Sequence, residues 1–484
     1  MILPILTLVL LSFAVGVDAT APRTIPDECC AALEASTLTE RVSFPGSATY
    51  EESVDSYFGV NAQLRPICIV QPLSAHDVSV AVRTLTSDAG SCLFAIRSGG
   101  HSTFVGASNI QPGVTIDLSL MNRTRYEPST GIVSIQPGAR WGSVYEALQS
   151  HNVMVPGGRT ASVGVGGYLL GGGNSFYAAR VGIACDSVEA YEIVLASGPQ
   201  GDSNNFGIVT LFEMASFPVA NSVWGGATIY NISWAPEYIA AASKFTNNIA
   251  NDPHASWVGL LNYNSTTGQT ALATSLVYTK PVARPEVFHD FYQIPNITDT
   301  VRLSTLLDIT TENSFSYGYR NVLQTGTYLN REDILQKAIT IHANQIEQAK
   351  AQAHRSNFAL FAIIQPWVPA FWRNSPAGGG NVLGLERFDE NMLNVVWDYS
   401  WDDATEDSLF YDLVKFARQE LDAYARSTQA YNEYIYLNYA GRTQDPLRGY
   451  GADNLAFLKR VAEIYDPQGV FQTVVPGGFK LGEA

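Results

Sequence analysis

Residues 95–102, with the sequence AIRSGGHS, join an apolar run to a paired-glycine turn and a histidine. The apolar residues predict a buried strand that enters the turn at Gly99 and Gly100. Glycine lets the backbone come close to a ligand, and successive N–H groups in such a turn form a concavity that binds anions. Arg97 could add positive charge at the mouth of this concavity. The segment therefore predicts a site for an anionic ligand, with His101 beside it.

A second segment, residues 156–173, is far richer in glycine than an average sequence. Flexible linkers share this richness, but linkers are polar, whereas this run interleaves Val163, Val165, Leu169 and Leu170. Close packing of the backbone against a flat, partly anionic ligand explains the mixture better. Neither segment carries the Lys-Ser/Thr of a phosphate-binding loop, and the first is no G-x-G-x-x-G that opens a helix. The spacing is typical of a nucleotide or flavin site.

Two regions of different texture must position these segments. Between about 65 and 220, short β-type runs alternate with glycine-rich turns and a few helices. From about 221 to 435, longer strands mix with long helices, and no internal repeat is found. The predicted strands are 92–96, 114–118, 132–136, 190–195, 208–217, 223–230, 270–278 and 391–401. The predicted helices are 78–85, 141–149, 332–354 and 454–464.

The length and charge limit the class of protein. A chain of 484 residues exceeds one ordinary domain, so two domains or one two-part architecture is expected. The net charge of −16 and the pI near 4.8 argue against a nucleic-acid partner, because phosphate binding needs a basic surface. The sequence has no basic amphipathic stretch of the kind that holds a protein to a membrane surface, so membrane attachment is not expected. A small-molecule substrate is expected, and the oligomeric state is left open.

The N-terminus predicts secretion. Residues 1–16 are almost wholly apolar, and Val17-Asp18-Ala19 offers small residues at the spacing for cleavage. A membrane anchor is the alternative, but the run is shorter than the roughly 20 residues that a span needs. We therefore predict a signal peptide over 1–19. Four glycosylation sequons are consistent with this route: Asn122, Asn231, Asn264 and Asn296.

The chain has five cysteines, four of which suit disulfides in an oxidising compartment. Cys29 and Cys30 are adjacent and cannot easily pair with each other. Each should therefore reach Cys68 or Cys92, in an order that the sequence leaves open. Cys185 lies in an apolar stretch and is predicted to be a buried free thiol. A metal site is the alternative, but no histidines cluster nearby.

Beyond these local patterns, the chain resembles the FAD-linked oxidases of the vanillyl-alcohol-oxidase type, and within them the berberine-bridge-enzyme-like branch with many secreted fungal members. The matching stretches span nearly the whole mature chain in the family's order: 61–72 (NAQLRPICIVQP), 97–102 (RSGGHS), 136–142 (QPGARWG), 157–173, 205–210 (NFGIVT), 436–439 (YLNY) and 465–479 (YDP to VPGGF). The resemblance implies an α+β fold. A PCMH-type FAD-binding domain of two α/β subdomains is expected over 25–218. A substrate domain of antiparallel sheet and flanking helices follows over 219–440, and a C-terminal segment over 441–484 returns to the FAD-binding domain.

The resemblance also implies how FAD is held. His101 matches the histidine that bonds covalently to the flavin 8α carbon, although a histidine that merely lines the pyrophosphate is the alternative. Some relatives add a second bond from a cysteine, but Thr160 stands at that position here, so a single bond is expected. The remaining contacts map onto Arg97, Ser98, Gly99, Gly100, Ser102, Gly164, Val165, Gly166, Gly167, Gly171, Gly172, Gly173, Ile208, Val209 and Asn438.

Hydride transfer from an alcohol needs a base for the hydroxyl proton. Relatives use a glutamate on a substrate-domain strand or the second tyrosine of Tyr-x-Asn-Tyr. Asn394 stands at the glutamate position here, so Tyr439 is predicted as the base, with Tyr436 second. A phenol has a pKa near 10, so a cationic or hydrogen-bonding neighbour is expected to lower it. The alternative is that both tyrosines are packed aromatics; Asp398 is a further candidate carboxylate.

One departure from the family lies at 198–203. Relatives carry a strand, a loop and a short helix there, which this chain lacks. Loss of a helix behind the cofactor would expose apolar surface and weaken FAD binding.

We predict a secreted FAD-dependent oxidoreductase acting on an alcohol, sugar or specialised metabolite, with O₂ as a candidate acceptor. A sugar oxidase predicts an open aromatic-lined groove, for which Phe361, Trp367, Phe371 and Trp372 are candidates unless they are core residues. A metabolite oxidase predicts a closed apolar pocket. The short 198–203 connection favours a third alternative, a catalytically impaired secreted flavin- or ligand-binding protein.

Overall fold

The computed structural model describes residues 26–87, 92–196, 198–199, 205–373, 375 and 380–484. The signal peptide predicted over 1–19 lies outside these residues, as does most of the 198–203 connection. Within the described ranges, no helix is long and apolar enough to cross a membrane. The same ranges contain no grouping of His, Cys, Asp and Glu side chains that could hold a metal ion.

The N-terminal part of the chain forms a four-stranded sheet. Its strands β1 (Val42–Ser43), β2 (Cys68–Val70), β3 (Phe94–Arg97) and β4 (Val114–Asp117) lie in the spatial order β1-β2-β4-β3. Strands β2, β3 and β4 are parallel, and β1 is antiparallel to β2. The accompanying helices are α1 (Pro26–Glu34), α2 (Ala48–Asp55) and α3 (Ala75–Leu85).

The pairing of the cysteines ties α1 to this region. Cys29 bonds to Cys92 and Cys30 bonds to Cys68, so the two predicted bridges are confirmed and their order is fixed. Cys185 is not bonded, as predicted, but it is only partly buried. The residue lies in a short 3₁₀ turn at the edge of the core, and burial raises the pKa of its thiol, in agreement with the predicted buried thiol.

A second sheet of five antiparallel strands follows. It contains β5 (Thr124–Glu127), β6 (Ile132–Ile135), β8 (Val188–Leu195), β9 (Gly198–Pro199) and β10 (Ile208–Ala215), in the order β5-β6-β10-β8-β9. A separate pair joins β7 (Val153–Met154) to β11 (Phe217–Pro218). The helices of this region are α4 (Trp141–Gln149), α5 (Val165–Leu170) and α6 (Ala178–Val181). The two sheets with their helices fit the predicted pair of subdomains.

The largest sheet is antiparallel and has nine strands. They are β12 (Val223–Asn231), β13 (Ala255–Asn264), β14 (Gln269–Tyr278), β15 (Asn296–Asp299), β16 (Arg302–Ser304), β17 (Arg320–Leu329), β18 (Phe358–Trp367), β19 (Met392–Trp401) and β20 (Tyr431–Asn432). The accompanying helices are α7 (Ala235–Asn248), α8 (His289–Tyr292), α9 (Leu306–Glu312), α10 (Glu332–Gln352) and α11 (Asp407–Ser427). This confirms the predicted antiparallel sheet with flanking helices.

The C-terminal segment carries α12 (Ala452–Tyr465) and α13 (Val470–Thr473). The N–H of Phe94 donates to the carbonyl of Val474 at 3.0 Å, and Phe471 packs in the core of the four-stranded sheet. The tail therefore contacts the first sheet. The domain boundaries given above stay a prediction.

The aromatic residues proposed for an open groove are mostly core. Trp367, Phe371 and Trp372 are buried in the hydrophobic cluster beside the nine-stranded sheet, while Phe361 packs edge-on against Phe315. Core packing is therefore the correct interpretation for the first three.

Candidate active site

The two glycine segments touch each other through their backbones. A Cβ atom added to Gly99 would lie 2.5 Å from the Cα of Gly164, closer than real Cβ contacts come. Ser98 Oγ accepts the N–H of Gly166 at 3.2 Å and donates to the carbonyl of Pro137 at 2.5 Å. Both turns line one cavity of about 460 Å³, which meets the central expectation of the sequence analysis.

Most of the predicted cofactor contacts face this cavity. The predicted residues that line it are Ser98, Gly99, Gly100, His101, Ser102, Gly164, Gly166, Gly167, Gly171, Ile208, Val209, Asn438, Tyr436 and Tyr439. Four predicted residues do not line it. They are Arg97, Val165, Gly172 and Gly173.

Arg97 points away from the cavity mouth, so its predicted role there is wrong. Its side chain is buried, and Nη1 donates to the carbonyl of Ser53 at 2.6 Å and lies 3.4 Å from the carboxylate of Asp117. The guanidinium also stacks over the ring of Tyr57, 4.1 Å from its centroid. Because a Cβ on Gly100 would meet Arg97 Nε at 2.9 Å, the arginine supports the underside of the turn.

Val165, Gly172 and Gly173 lie on the far side of the second segment. Val165 is buried in the core of the five-stranded sheet. Gly172 and Gly173 have φ values of +104° and +86°, which side-chain-bearing residues rarely adopt, so they form the turn that ends α5. These residues shape the cavity without facing it.

Alanine substitutions at three glycines should have different effects on folding and ligand binding. Gly99→Ala should drive the two turns apart, because backbone opposes the new Cβ, and should cost about 1–3 kcal/mol of folding free energy or more. Gly167→Ala should fold normally, since nothing lies within 4 Å of its Cβ, yet lower the bound-ligand content, because Gly167 lines the cavity. Gly482→Ala is the control, because its Cβ is also unopposed. Melting temperature and cofactor content of the three variants measure this, and equal behaviour would contradict it.

His101 lies in the cavity with its ring stacked on Phe58, at a centroid distance of 4.2 Å. Burial, with a smaller contribution from the charge of Arg140, lowers the pKa of His101 to about 3. The ring is therefore neutral at physiological pH. Its Nδ1 is buried and has no hydrogen-bond partner among the described residues. In the tautomer with the proton on Nε2, this Nδ1 has a lone pair free for a covalent bond.

Asp398 is the carboxylate of the cavity. It lies on β19, lines the cavity, and its Oδ1 is buried without a hydrogen-bond partner in the described chain. Burial raises the pKa of Asp398 to about 7, and no charge of the described residues offsets this loss of solvation. A carboxyl group with a pKa near the working pH is suited to take and release protons.

Asn394, at the family's glutamate position, does not line the cavity. Its Nδ2 donates to Thr325 Oγ1 at 2.9 Å and to the carbonyl of Gly326 at 3.3 Å, so it ties β19 to β17. Asp398, four residues further along β19, does line the cavity.

The cationic neighbour expected for Tyr439 is Arg159. Arg159 Nη2 donates to Tyr439 Oη at 3.1 Å and also to Gln365 Oε1. Arg159 belongs to the second glycine segment, whereas Gln365 lies on β18 and Tyr439 on the C-terminal side. All three line the cavity.

Tyr436 forms hydrogen bonds with the backbone at the end of the second glycine segment. Its Oη accepts the N–H groups of Gly173 and Asn174 at 3.1 and 3.0 Å and the Nδ2 of Asn438 at 2.9 Å. Burial, followed by the neighbouring Tyr439, raises the pKa of Tyr436. This makes Tyr436 a poor base, and its secondary assignment as one is not supported by the structure.

The two tyrosines should therefore respond differently to removal of the hydroxyl. Tyr436→Phe leaves three N–H donors without their acceptor and should lower the free energy of unfolding by about 1–3 kcal/mol. Tyr439→Phe should leave stability nearly unchanged, because Tyr439 is only partly buried, and should lower turnover. Denaturant unfolding and steady-state rates distinguish them; a reversed pattern would contradict these assignments.

Several residues that line the cavity were not predicted from the sequence. Tyr168 and Asn174 lie inside or next to the glycine segment, so their proximity was a usable signal. Phe58, Gln365 and Asn313 come from distant elements, and no local pattern marks them. The apolar wall was also missed; it consists of Val258, Leu260, Phe315, Leu323, Ile363 and Val396.

The residues present fit FAD. Two glycine turns provide close backbone approach for a long ligand, His101 Nδ1 is an orphaned buried atom at the edge of the cavity, and the described lining is otherwise largely apolar.

Comparison with known proteins agrees with this fit. A family model described as FAD binding domain matches residues 66–200. The chain is 62% identical over 478 residues to an FAD-dependent monooxygenase of Emericella nidulans, covering 95% of this chain and 100% of that one.

Solved structures share the fold at low sequence identity. The 6-hydroxy-D-nicotine oxidase of Arthrobacter nicotinovorans superposes with a TM-score of 0.72 at 18% identity, covering 89% of this chain and 96% of that one. Berberine bridge enzyme from Eschscholzia californica gives a TM-score of 0.70 at 14% identity, covering 93% and 99%.

Proposed function

Because the chain belongs to the family of FAD-dependent monooxygenases, with the fold of berberine bridge enzyme, we propose that it oxidises an apolar, hydroxyl-bearing metabolite with Asp398 as the base. It is an FAD-linked oxidoreductase. The observation that carries the proposal is Asp398, a buried carboxylate whose Oδ1 has no partner among the described residues, in the cavity that both glycine turns line.

His101 is proposed as the covalent attachment point of the flavin. Its ring is neutral and its Nδ1 has no partner within the described residues, as attack on the flavin 8α carbon requires. The N–H groups of the Ser98–His101 turn would hold the diphosphate. Ile208, Val209 and the glycines of the second segment would contact the flat rings. Thr160, which also lines the cavity, offers no sulfur for a second bond.

Asp398 would accept the hydroxyl proton of the substrate as the adjacent C–H bond breaks. When bound, FAD supplies the acceptor for the hydride. Asp398 must be ionised to act, so the rate should rise with pH through about 7. Tyr439, held by Arg159, would orient the substrate oxygen rather than take the proton.

The lining favours a metabolite over a sugar. Apolar side chains form the wall that the nine-stranded sheet presents, and the tryptophans that could have stacked on sugar rings are buried in the core. An apolar, ring-bearing alcohol would bury its surface there and place its hydroxyl at Asp398.

The proposed balance is one alcohol and one O₂ consumed for one carbonyl compound and one H₂O₂ formed. A true monooxygenase, as the relatives are named, would instead insert one atom of O₂ into the product. Turnover under ¹⁸O₂ separates these two functions by the mass of the product.

The experiment that tests the function is anaerobic mixing of the yellow holoenzyme with a panel of aromatic and aliphatic alcohols. Bleaching of the flavin absorbance by apolar alcohols, with sugars inactive, supports the proposal. A yellow protein that no alcohol bleaches would contradict it. A colourless, stable protein would favour the alternative of a protein that has lost catalysis.

Secretion is part of the proposal. The apolar N-terminus and two disulfides support it, and all four sequon asparagines are exposed, as glycosylation requires. Sequencing the N-terminus of protein from culture medium should place the first residue near Thr20; cell-retained protein starting at Met1 would contradict secretion.

A further inference from the structure

Arg159 is a cation without a counter-ion. It and Asp398 are the two charged side chains among the described residues that line the cavity, apart from the neutral His101. No carboxylate of the described residues lies within ion-pair distance of its guanidinium. A half-buried guanidinium loses solvation, and no carboxylate of the described residues offsets that loss.

The arginine is nevertheless held in a defined place. Its Nη2 donates to Gln365 and Tyr439, and its own carbonyl accepts the Nδ2 of Asn313 at 3.3 Å. The hydrogen bonds of the described chain leave its Nε and Nη1 unused. A positioned guanidinium with free donors is the usual receptor for a carboxylate or another anionic oxygen.

The partners of Arg159 place it toward the substrate. Gln365 belongs to the nine-stranded sheet, which supplies the apolar wall. Besides burial, the charge that lowers the pKa of His101 is that of Arg140, not that of Arg159. The guanidinium is thus hydrogen-bonded to the sheet that supplies the apolar wall.

The sheet register gives the spacing along the strands between Gln365, which binds Arg159, and Asp398. Gln365 pairs with Asn394, and Asp398 lies four residues further along β19. At about 3.3 Å per residue, these positions are roughly 13 Å apart along the strand. A single small ring does not span that distance.

We infer that the substrate is an elongated, apolar acid whose carboxylate or ionised phenol binds Arg159 and Gln365 while its oxidised carbon lies at Asp398. The inference rests on the proposed function, since it names the substrate class of the same site. At one end of the substrate, the forked N–H donors of Arg159 would bind an anionic oxygen. At the other end, Asp398 would accept a proton.

A matched pair of ligands tests the inference. The holoenzyme is titrated with 2-naphthoate and with 2-naphthamide, which share shape and differ in charge, and the perturbation of the flavin spectrum gives each Kd. The wild type should bind 2-naphthoate about tenfold more tightly or better. Arg159→Met should remove that preference by weakening 2-naphthoate alone, and Arg159→Lys, which keeps charge but not the fork, should lie between.

Three results would overturn the inference. They are equal affinity of the wild type for both ligands, absence of any perturbation by 2-naphthoate at millimolar concentration, and an Arg159→Met variant that loses both ligands alike. A shift of the ligand-free flavin spectrum in Arg159→Met would assign the arginine to the cofactor and overturn it also. The proposed function is tested separately, by the flavin spectrum recorded before each titration and by anaerobic bleaching with neutral apolar alcohols, neither of which requires Arg159 to bind an anion.

Discussion

Asp398→Asn should lower the rate of anaerobic flavin reduction by about 100- to 10,000-fold, the usual contribution of a general base. The amide keeps the shape of the side chain but cannot accept the hydroxyl proton. The wild-type rate should rise with pH through about 7, as Asp398 ionises. The residual rate of the variant should lose this dependence. Stopped-flow absorbance between pH 5 and pH 9 gives both quantities.

The same substitution should stabilise the protein at neutral pH. The pKa of Asp398 is about 7 in the folded chain against 3.8 for an unperturbed carboxyl, so the unfolded chain releases the proton first. Stability therefore falls as pH rises from about 4 to about 7, by as much as about 4 kcal/mol. The amide of the Asp398→Asn variant does not titrate and would escape this loss, so the gain from the substitution should grow across that window.

Asn394→Ala is the matched control, since it lies on the same strand outside the cavity lining. It should lower stability by removing two hydrogen bonds, with the pH profile of reduction kept. An Asp398→Asn variant that is less stable than the wild type at pH 8 and reduces its flavin at the wild-type rate would remove Asp398 from its role.

His101→Ala should convert tightly held flavin into dissociable flavin. Acid precipitation of the wild type should leave the yellow colour in the pellet, while the variant should release it to the supernatant. The lost alkyl substituent should also lower the flavin potential and slow reduction by about tenfold, because substituents on the ring tune its electronics. Absorbance of the two fractions and a potentiometric titration measure these effects.

Ser102→Ala is the control for that variant. Ser102 follows His101 in the chain and lines the same cavity. Its Oγ accepts a hydrogen bond from the N–H of Phe104, at 3.2 Å. It should keep the flavin in the pellet. Flavin that stays in the pellet after His101→Ala would show that another residue bears the bond.

The architecture could be predicted where local pattern decides it. The helix predicted over 141–149 is α4, and the strands predicted from apolar runs differ from β4, β6 and β12 by one residue at the end. These elements depend on periodicity and propensity within a few residues. The strand predicted over 208–217 ends at Ala215, because Phe217 and Pro218 leave β10 to pair with β7.

The direction of Arg97 could not be predicted from the same information. The glycines beside it marked a ligand site correctly, but its side chain is captured by Ser53 and Asp117, which come from other elements. Strand β3 is buried on both faces, so alternation gave no sign of which face carries Arg97.

The choice between Tyr439, predicted as the base, and Asp398, proposed here, could not be made from the sequence for a related reason. Strand β19 is buried along nearly its whole length, so its sequence does not reveal which side chains reach the cavity. Asp398 is marked by the cavity beside it and by an Oδ1 without a partner in the part of the chain that the structure describes, and both properties are tertiary. Arg159 is separated from Tyr439 by 280 residues, so only the fold could bring them together.

The mass of the tryptic peptide covering residues 98–123 tests the central claim most directly, because it contains His101 from the turn that lines the cavity. After removal of any glycan at Asn122, the wild-type peptide should carry the mass of FAD less two hydrogen atoms, with fragmentation assigning the adduct to His101. An unmodified peptide from yellow protein, or an adduct on any residue outside the cavity lining, would contradict it.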